Sequence, residues 1–254
     1  MHANTSPLWR VIELDTHSAA MNMAIDQAVL ESVSKNKSCP TIRFYQWLPS
    51  AVSIGYFQSL SVEVNEGETR KRGFDVVRRQ TGGGAVFHDS AGEITYSIIG
   101  KEELFSKGIT ESYHEICDIL VKGLGLLGIP AEFKPINDII VKGKKISGNA
   151  QTRRNGVLLQ HGTILYDLDV ETMFSVLRIT NEKISDKLIA SVKDRVTRIL
   201  DHADISKSDC YSAFQEAFCK NRETYIGKLS LEEQIRTTEL VRDKYGSDEW
   251  NRQR

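Results

Sequence analysis

Apolar residues recur at helical spacing in Met21, Ile25, Ala28 and Val29, at i, i+4, i+7 and i+8, which predicts an amphipathic helix over 18–34. The period then changes. Thr41 to Trp47 alternates, with Ile42 and Phe44 opposed to Arg43 and Tyr45, and reads as a strand; 51–55 reads as a second short strand, set off by Pro49. Residues 74–79 form a third, running straight into a glycine-rich turn, and 94–99 the strand that returns. Ser112 and Glu115 stand at capping-box spacing ahead of Ile116, Leu120, Leu124 and Leu127 on one helical face, and Gly128 with Pro130 stops that helix.

From 138 to 166 the pattern is a meander. Ile139-Ile-Val141 pairs across a turn at Gly143 with Lys145-Ile-Ser-Gly148, and Asn155-Gly156 is a type I′ hairpin signal leading into Val157 to Leu165. After Asp169 the pattern is helical almost to the end, with a second capping box at Ser230 and Glu233. Glu102-Glu103 and a helix at 182–199 read as solvated surface. With no linker, repeat or composition shift, the expectation is one α+β domain over 1–254: a mixed, largely antiparallel sheet framed by helices.

Composition narrows the classes. Hydrophobic residues at 40% and charged residues at 26% are the balance of a globular chain able to bury a sizeable core. The 33 basic and 34 acidic residues leave a net charge of −1, so no broad field draws nucleic acid or an anionic membrane, and a nucleotide site has to be local. Cys39, Cys117, Cys210 and Cys219 show neither a CxxC pair nor zinc-ligand spacing, and read as thiols in a reducing cytosol rather than as two disulfides. The first residues carry no secretory apolar core, and no apolar run approaches the roughly 18 residues of a membrane span. A cytoplasmic protein is expected.

Three stretches carry candidate chemistry. In RRQTGGGAVFHD (78–89), three glycines after a strand let the backbone approach a ligand, and Arg78 and Arg79 could neutralise phosphate oxygens. A flexible loop is the alternative, and the run is neither a P-loop nor a dinucleotide fingerprint. In NDIIVKGKKISGNAQ (137–151), Lys142 and Lys144 read as a solvated hairpin tip. Lys145 opens a strand, so its side chain has a defined face, which Ser147 would share, and Gly148 permits close approach. Asp138 could hold a magnesium ion or cap the turn. In QHGTIL (160–165), His161 is either a hydrogen-bonded core residue or part of a site.

Together, in this order and spacing, the three stretches resemble the lipoate–protein ligase A family, which shares a class II synthetase/biotin-ligase-like fold with the biotin ligases and the lipoyl-pathway octanoyltransferases. The resemblance begins near Met21-Asn-Met-Ala-Ile-Asp26, passes through Arg43-Phe-Tyr and Gly55-Tyr-Phe-Gln58, and ends near Glu249-Trp-Asn251. It implies an ATP-dependent, AMP-forming ligase that converts lipoate to lipoyl-AMP and transfers the lipoyl group to a lysine of an acceptor protein. Lipoyl-domain proteins such as the 2-oxoacid dehydrogenase E2 and the glycine cleavage H protein are the acceptors it implies.

Carried over by position, Arg79, Gly84, Ala85, Val86, Phe87 and Lys145 would hold the nucleotide, with Lys145 catalytic. Gly83, Gly84, His88, Lys145, Ser147, Gly148 and His161 would hold lipoate, and Asp138 would lie by Mg2+. Val86 and Phe87 could line an acyl channel. The chain stops where many relatives continue into a small accessory domain, which implies a split ligase completed by a separate small subunit.

Three other readings compete. The octanoyltransferase branch takes its acyl group from acyl carrier protein without ATP and uses a cysteine nucleophile close to the lysine strand. No cysteine lies between Cys117 and Cys210, and Cys117 falls in a predicted helix; this argues for the ligase and fails if Cys117 faces the pocket. Biotin ligation fits less well, because the loop carries Gly-Gly-Gly in place of an arginine-containing GRG-type loop. A half-enzyme that binds lipoyl-AMP without making it is the third.

Overall fold

The computed structural model describes residues 7–178 and 194–254. Eleven strands are found there: β1 (Trp9–His17), β2 (Thr41–Trp47), β3 (Ala51–Ile54), β4 (Asp75–Arg78), β5 (Val86–His88), β6 (Glu93–Lys101), β7 (Glu132–Lys134), β8 (Asp138–Val141), β9 (Lys144–Arg154), β10 (Val157–Leu165) and β11 (Thr224–Ile226). Eight of them form one sheet in the order β11-β1-β2-β6-β10-β9-β8-β7. Its β11-β1-β2 edge is parallel and the rest antiparallel. A second sheet, β4-β3-β5, has β3 parallel to β4 and antiparallel to β5.

Helices cover both faces of the large sheet. Period-two alternation sends Ile42, Phe44, Ile94, Tyr96, Ile98 and Leu158 to one face, where they pack with Ile116, Cys117 and Leu120 of α4 (Ile109–Leu126) and Phe214 and Phe218 of α6 (Lys207–Cys219). Ile99, Val157 and Leu159 go to the other face, beneath Ile25 and Val29 of α1 (Ala19–Ser34). α7 (Leu231–Leu240) lies against α1, and its Ser230/Glu233 capping box is formed as expected. Glu233 also pairs with Arg10, a buried ion pair tying α7 to β1. The shorter helices are α2 (Leu60–Glu63), α3 (Glu66–Lys71), α5 (Val170–Val176) and α8 (Asp248–Asn251). Among the described residues, no helix is long and apolar enough to cross a membrane.

The expected hairpins are present. Lys142 and Gly143 have φ of 49° and 78°, and Asn155 and Gly156 have 54° and 71°, the two positive values of a I′ turn. Three expectations are corrected. β1 was not anticipated, and β11 stands in a stretch read as helical. α4 begins at Ile109 rather than after Ser112: the Ser112 hydroxyl donates to the Ile109 carbonyl, and Glu115 accepts from the Ser106 amide. The helix read at 182–199 lies largely outside the described residues.

Candidate functional site

The site opens where the α1-covered face of the large sheet meets the small sheet. Its wall takes Met23 from α1, Tyr45 and Trp47 from β2, Ser53 from β3, Val86 and His88 from β5, Lys145 and Asn149 from β9, and His161 and Thr163 from β10, with Gly83, Gly84 and Ala85 between. Gly83 has φ +95°, a conformation favouring glycine. A Cβ on Gly55 would sit 2.1 Å from the Gly83 carbonyl oxygen, so the triple-glycine loop lies directly on the end of β3.

The two arginines ahead of the loop are engaged by oxygens of the protein itself. Arg78 is fully buried, and donates to the carbonyls of Gly55, Tyr56, Gln58, Trp250 and Asn251. Arg79 is buried on the pocket wall with its Nε on the Thr81 hydroxyl, Nη1 on the Ser53 carbonyl and hydroxyl, and Nη2 on the carbonyls of Gly82 and Gly84. Burial lowers the Arg79 guanidinium to about 10, which leaves it charged at neutral pH. Both guanidinia hold the loop and its flank through carbonyl and hydroxyl oxygens, and each of the five Arg79 donors has an acceptor within the protein.

Two histidine–carboxylate chains converge on Arg79. In the first, His88 Nδ1 lies 2.8 Å from Glu93 Oε1 and His88 Nε2 lies 2.8 Å from Ser53 Oγ. Trp47 stacks on the His88 ring at 3.9 Å between centroids, and donates from Nε1 to Thr95, whose hydroxyl donates to Glu93. The ring is held on one face and both edges. In the second chain, His161 Nδ1 lies 3.4 Å from Asp26 Oδ2 and Nε2 lies 2.8 Å from Thr81 Oγ1. Asp26 also accepts from Arg43, Tyr45 and Ser97. Burial by itself would raise the Asp26 carboxyl, but the hydrogen bond with His161 and the charge of Arg43 outweigh it and hold it low. Burial keeps His161 below the ordinary histidine range, against the pull of Asp26.

Lys145 stands on the pocket wall with its Nζ 2.6 Å from Asp138 Oδ1. Its backbone is fixed from the far side too, donating to the Arg195 carbonyl and accepting from the Thr197 amide. Asp138, expected beside magnesium, is paired with this lysine. Among the described residues no group of three His, Cys, Asp or Glu side chains is placed to hold a metal ion. A register shift between Ile139 and Ile140 breaks the period of two in β9. Lys145 therefore lines the pocket whereas Ser147 is buried beside Asn149, its Oγ accepting from Asn149 Nδ2.

Gly83, Gly84, Ala85, Val86, His88, Lys145, Gly148 and His161 are thus brought together with Arg79 around one cavity. Phe87 is not among them: it alternates away from Val86 and His88 into a core with Val52, Ile54 and Leu60. Ser53, Asp26, Glu93, Thr95, Trp47 and Asn149 were missed by the motif reading. The available signal was polar residues inside otherwise apolar elements, Ser53 within Ala-Val-Ser-Ile and Asp26 within α1.

All four cysteines lie in the described residues, and none lines the pocket. Cys117 is buried in α4, its Sγ 3.9 Å from Gln160 Nε2, behind the hydrogen-bonded chain Gln160–Tyr96–Asn149. Burial pushes its thiol up to about 12.

Residues 18–219 match the family model described as the lipoyl protein ligase A/B catalytic domain. The chain is 38% identical over 275 residues to octanoyltransferase LipM of Brevibacillus brevis, covering 97% of this chain and 99% of that one. It is 36% identical over 270 residues to octanoyltransferase LipM of Staphylococcus aureus, covering 95% and 97%. Its fold superposes on the bi-partite lipoate protein ligase of Thermoplasma acidophilum, described with its E2 lipoyl domain, with a TM-score of 0.86 at 29% identity, covering 97% and 96%. The sheet-and-helix architecture is therefore that of the lipoate ligases. The octanoyltransferase relatives, aligned over nearly the whole chain, overturn the expectation of ATP-dependent lipoate adenylation that the family resemblance implied and the absent cysteine favoured.

Proposed function

The chain belongs to the lipoyl protein ligase A/B family, and we propose that it transfers an octanoyl group from octanoyl-acyl carrier protein to a lysine amine of a lipoyl-domain acceptor, such as an E2 or H protein. The name of its relatives gives the acyl group. The observation that carries the reading in the site itself is the saturation of Arg78 and Arg79 by backbone carbonyls and hydroxyls. With both occupied, the wall offers Lys145 as a cation able to turn to a substrate, which suits a carbonyl better than a triphosphate.

A thioester is already activated, so acyl transfer to an amine needs no adenylate. The C–S bond breaks, the amide C–N bond forms, the amine loses a proton and a thiol leaves. The acyl chain would lie against Met23, Trp47, Ala85 and Val86. Its carbonyl would meet Lys145, whose ammonium neutralises the oxyanion of the tetrahedral intermediate. Gly83, Gly84, His88, Gly148 and His161 would surround the reacting end, with the two glycines allowing close approach. The accessory subunit expected beside an adenylating chain has no step to perform in this reaction.

The test is the mass of a lipoyl-domain acceptor incubated with the purified chain and octanoyl-acyl carrier protein, with nucleotide removed. Gain of one octanoyl group on the acceptor lysine is expected. An unmodified acceptor would sink the proposal.

A further inference from the structure

An acyltransferase that forms an acyl-enzyme needs a nucleophile, and the cysteines of this chain do not supply one. The geometry points to Ser53 as the residue that carries the acyl group, activated by His88 and oriented through Glu93; the inference rests on the octanoyl-transfer reading above.

The hydrogen-bond directions are set by the groups present. Glu93 is an acceptor, already receiving the Thr95 hydroxyl, so His88 donates to it from Nδ1. Neutral His88 then has its lone pair on Nε2, facing Ser53 Oγ at 2.8 Å. Ser53 Oγ accepts from Arg79 Nη1 at 3.1 Å, which leaves its own proton for His88. The serine thus has a base on its proton and a guanidinium on its oxygen, where negative charge develops as the proton leaves. Ser53 is 1% exposed and His88 5%, yet both are on the pocket wall, and Glu93 is wholly buried with its Oε2 unpaired among the described residues.

The parallel chain Asp26–His161–Thr81 has the same hydroxyl–histidine contact and an Arg79 donor, from Nε at 3.1 Å, but differs in two respects. Its carboxylate contact is longer, at 3.4 Å against 2.8 Å, and Thr81 is wholly buried and not among the residues lining the pocket. It braces Arg79 from behind.

In the first half-reaction Ser53 Oγ gives its proton to His88 Nε2 and attacks the thioester carbonyl. The C–S bond breaks as His88 returns the proton to the leaving sulfur, and an octanoyl ester remains on Ser53. In the second, the acceptor amine attacks that ester and loses a proton to His88; the C–O bond breaks and His88 reprotonates Ser53. Electrons and protons balance with no further reactant.

The test uses the whole chain and octanoyl-acyl carrier protein without acceptor, read by intact mass and peptide mapping after denaturing quench. One octanoyl group on the peptide bearing Ser53 is expected. Ser53→Ala should lose it and slow transfer to the acceptor on the order of a thousandfold or more. Ser53→Cys should keep the adduct and make it labile to neutral hydroxylamine, where the wild-type ester survives; this variant carries the test should Ser53→Ala not fold. His88→Asn should slow acylation with the adduct still on Ser53. Wild-type transfer with no adduct and an active Ser53→Ala would overturn the inference in favour of direct aminolysis, leaving the octanoyl-transfer reading intact. An adduct on another residue would overturn it equally. Absence of any transfer from the thioester by the wild type would remove the reading, and the inference with it.

Discussion

Lys145 Nζ and Asp138 Oδ1 lie 2.6 Å apart across the β8–β9 hairpin, with the lysine side chain 41% exposed and the aspartate 33%. A pair this accessible adds little to folding. Its effect is to hold the ammonium on the wall of the pocket.

Lys145→Ala should therefore leave the thermal midpoint close to wild type while lowering the initial rate of octanoyl transfer on the order of a hundredfold or more, the usual consequence of losing one oxyanion-stabilising donor. Asp138→Asn should retain most of the rate, since the ammonium remains. A Lys145→Ala enzyme transferring at the wild-type rate would show that the cation takes no part.

Cys117 gives the opposite expectation. Its thiol is buried behind Gln160 and Tyr96 and pushed up to about 12, so almost none is thiolate at neutral pH. Cys117→Ala should transfer octanoate at close to the wild-type rate and cost about 1 kcal/mol of stability. A nucleophilic cysteine would instead cost roughly a thousandfold or more in rate. Steady-state rates together with a urea melt distinguish the two.

The Asp26–Arg43 ion pair, at 2.9 Å with both side chains buried, makes a structural prediction. Asp26→Ala leaves the Arg43 charge buried with Asn22 as its remaining oxygen partner, and should destabilise by about 3–5 kcal/mol in denaturant unfolding. Asp26→Asn, which keeps the shape and one acceptor oxygen, should lose less.

His161 predicts a pH effect. Its folded value is depressed by burial, so the unfolded chain binds the proton more readily than the folded one. The stability held by neutral His161 is present above its unfolded value, near 6.5, and is lost as pH falls below it toward the folded value. The melting temperature of the wild type should fall more steeply below pH 6.5 than that of His161→Gln. Identical slopes for the two would contradict the buried, neutral assignment.

Much of the fold was legible because its signals are local. The helix over 18–34, the two I′ turns and the Ser230/Glu233 cap depend on residues within a few positions of one another. β11 was missed because it is three residues long and pairs with β1 across more than 200 residues; β1, which pairs mainly with β2, was simply not anticipated. The alternation in β2 was read as polar against apolar, whereas α1 covers the Arg43 side and supplies Asp26, so both faces are buried. The same limit applies to the site. The motifs located the glycine loop, Lys145, His88 and His161, but the partners Glu93, Ser53 and Asp26 become their neighbours only once β6, β3 and α1 pack together. The arginines read as free for phosphate are saturated by carbonyls that folding brings to them.

The central claim is tested most directly by offering the purified chain two octanoyl donors in parallel with one lipoyl-domain acceptor: octanoyl-acyl carrier protein without nucleotide, and free octanoate with ATP and magnesium. Acceptor modification from the first donor, with no pyrophosphate released in the second, is the expected result. Modification and pyrophosphate release confined to the ATP reaction would contradict it.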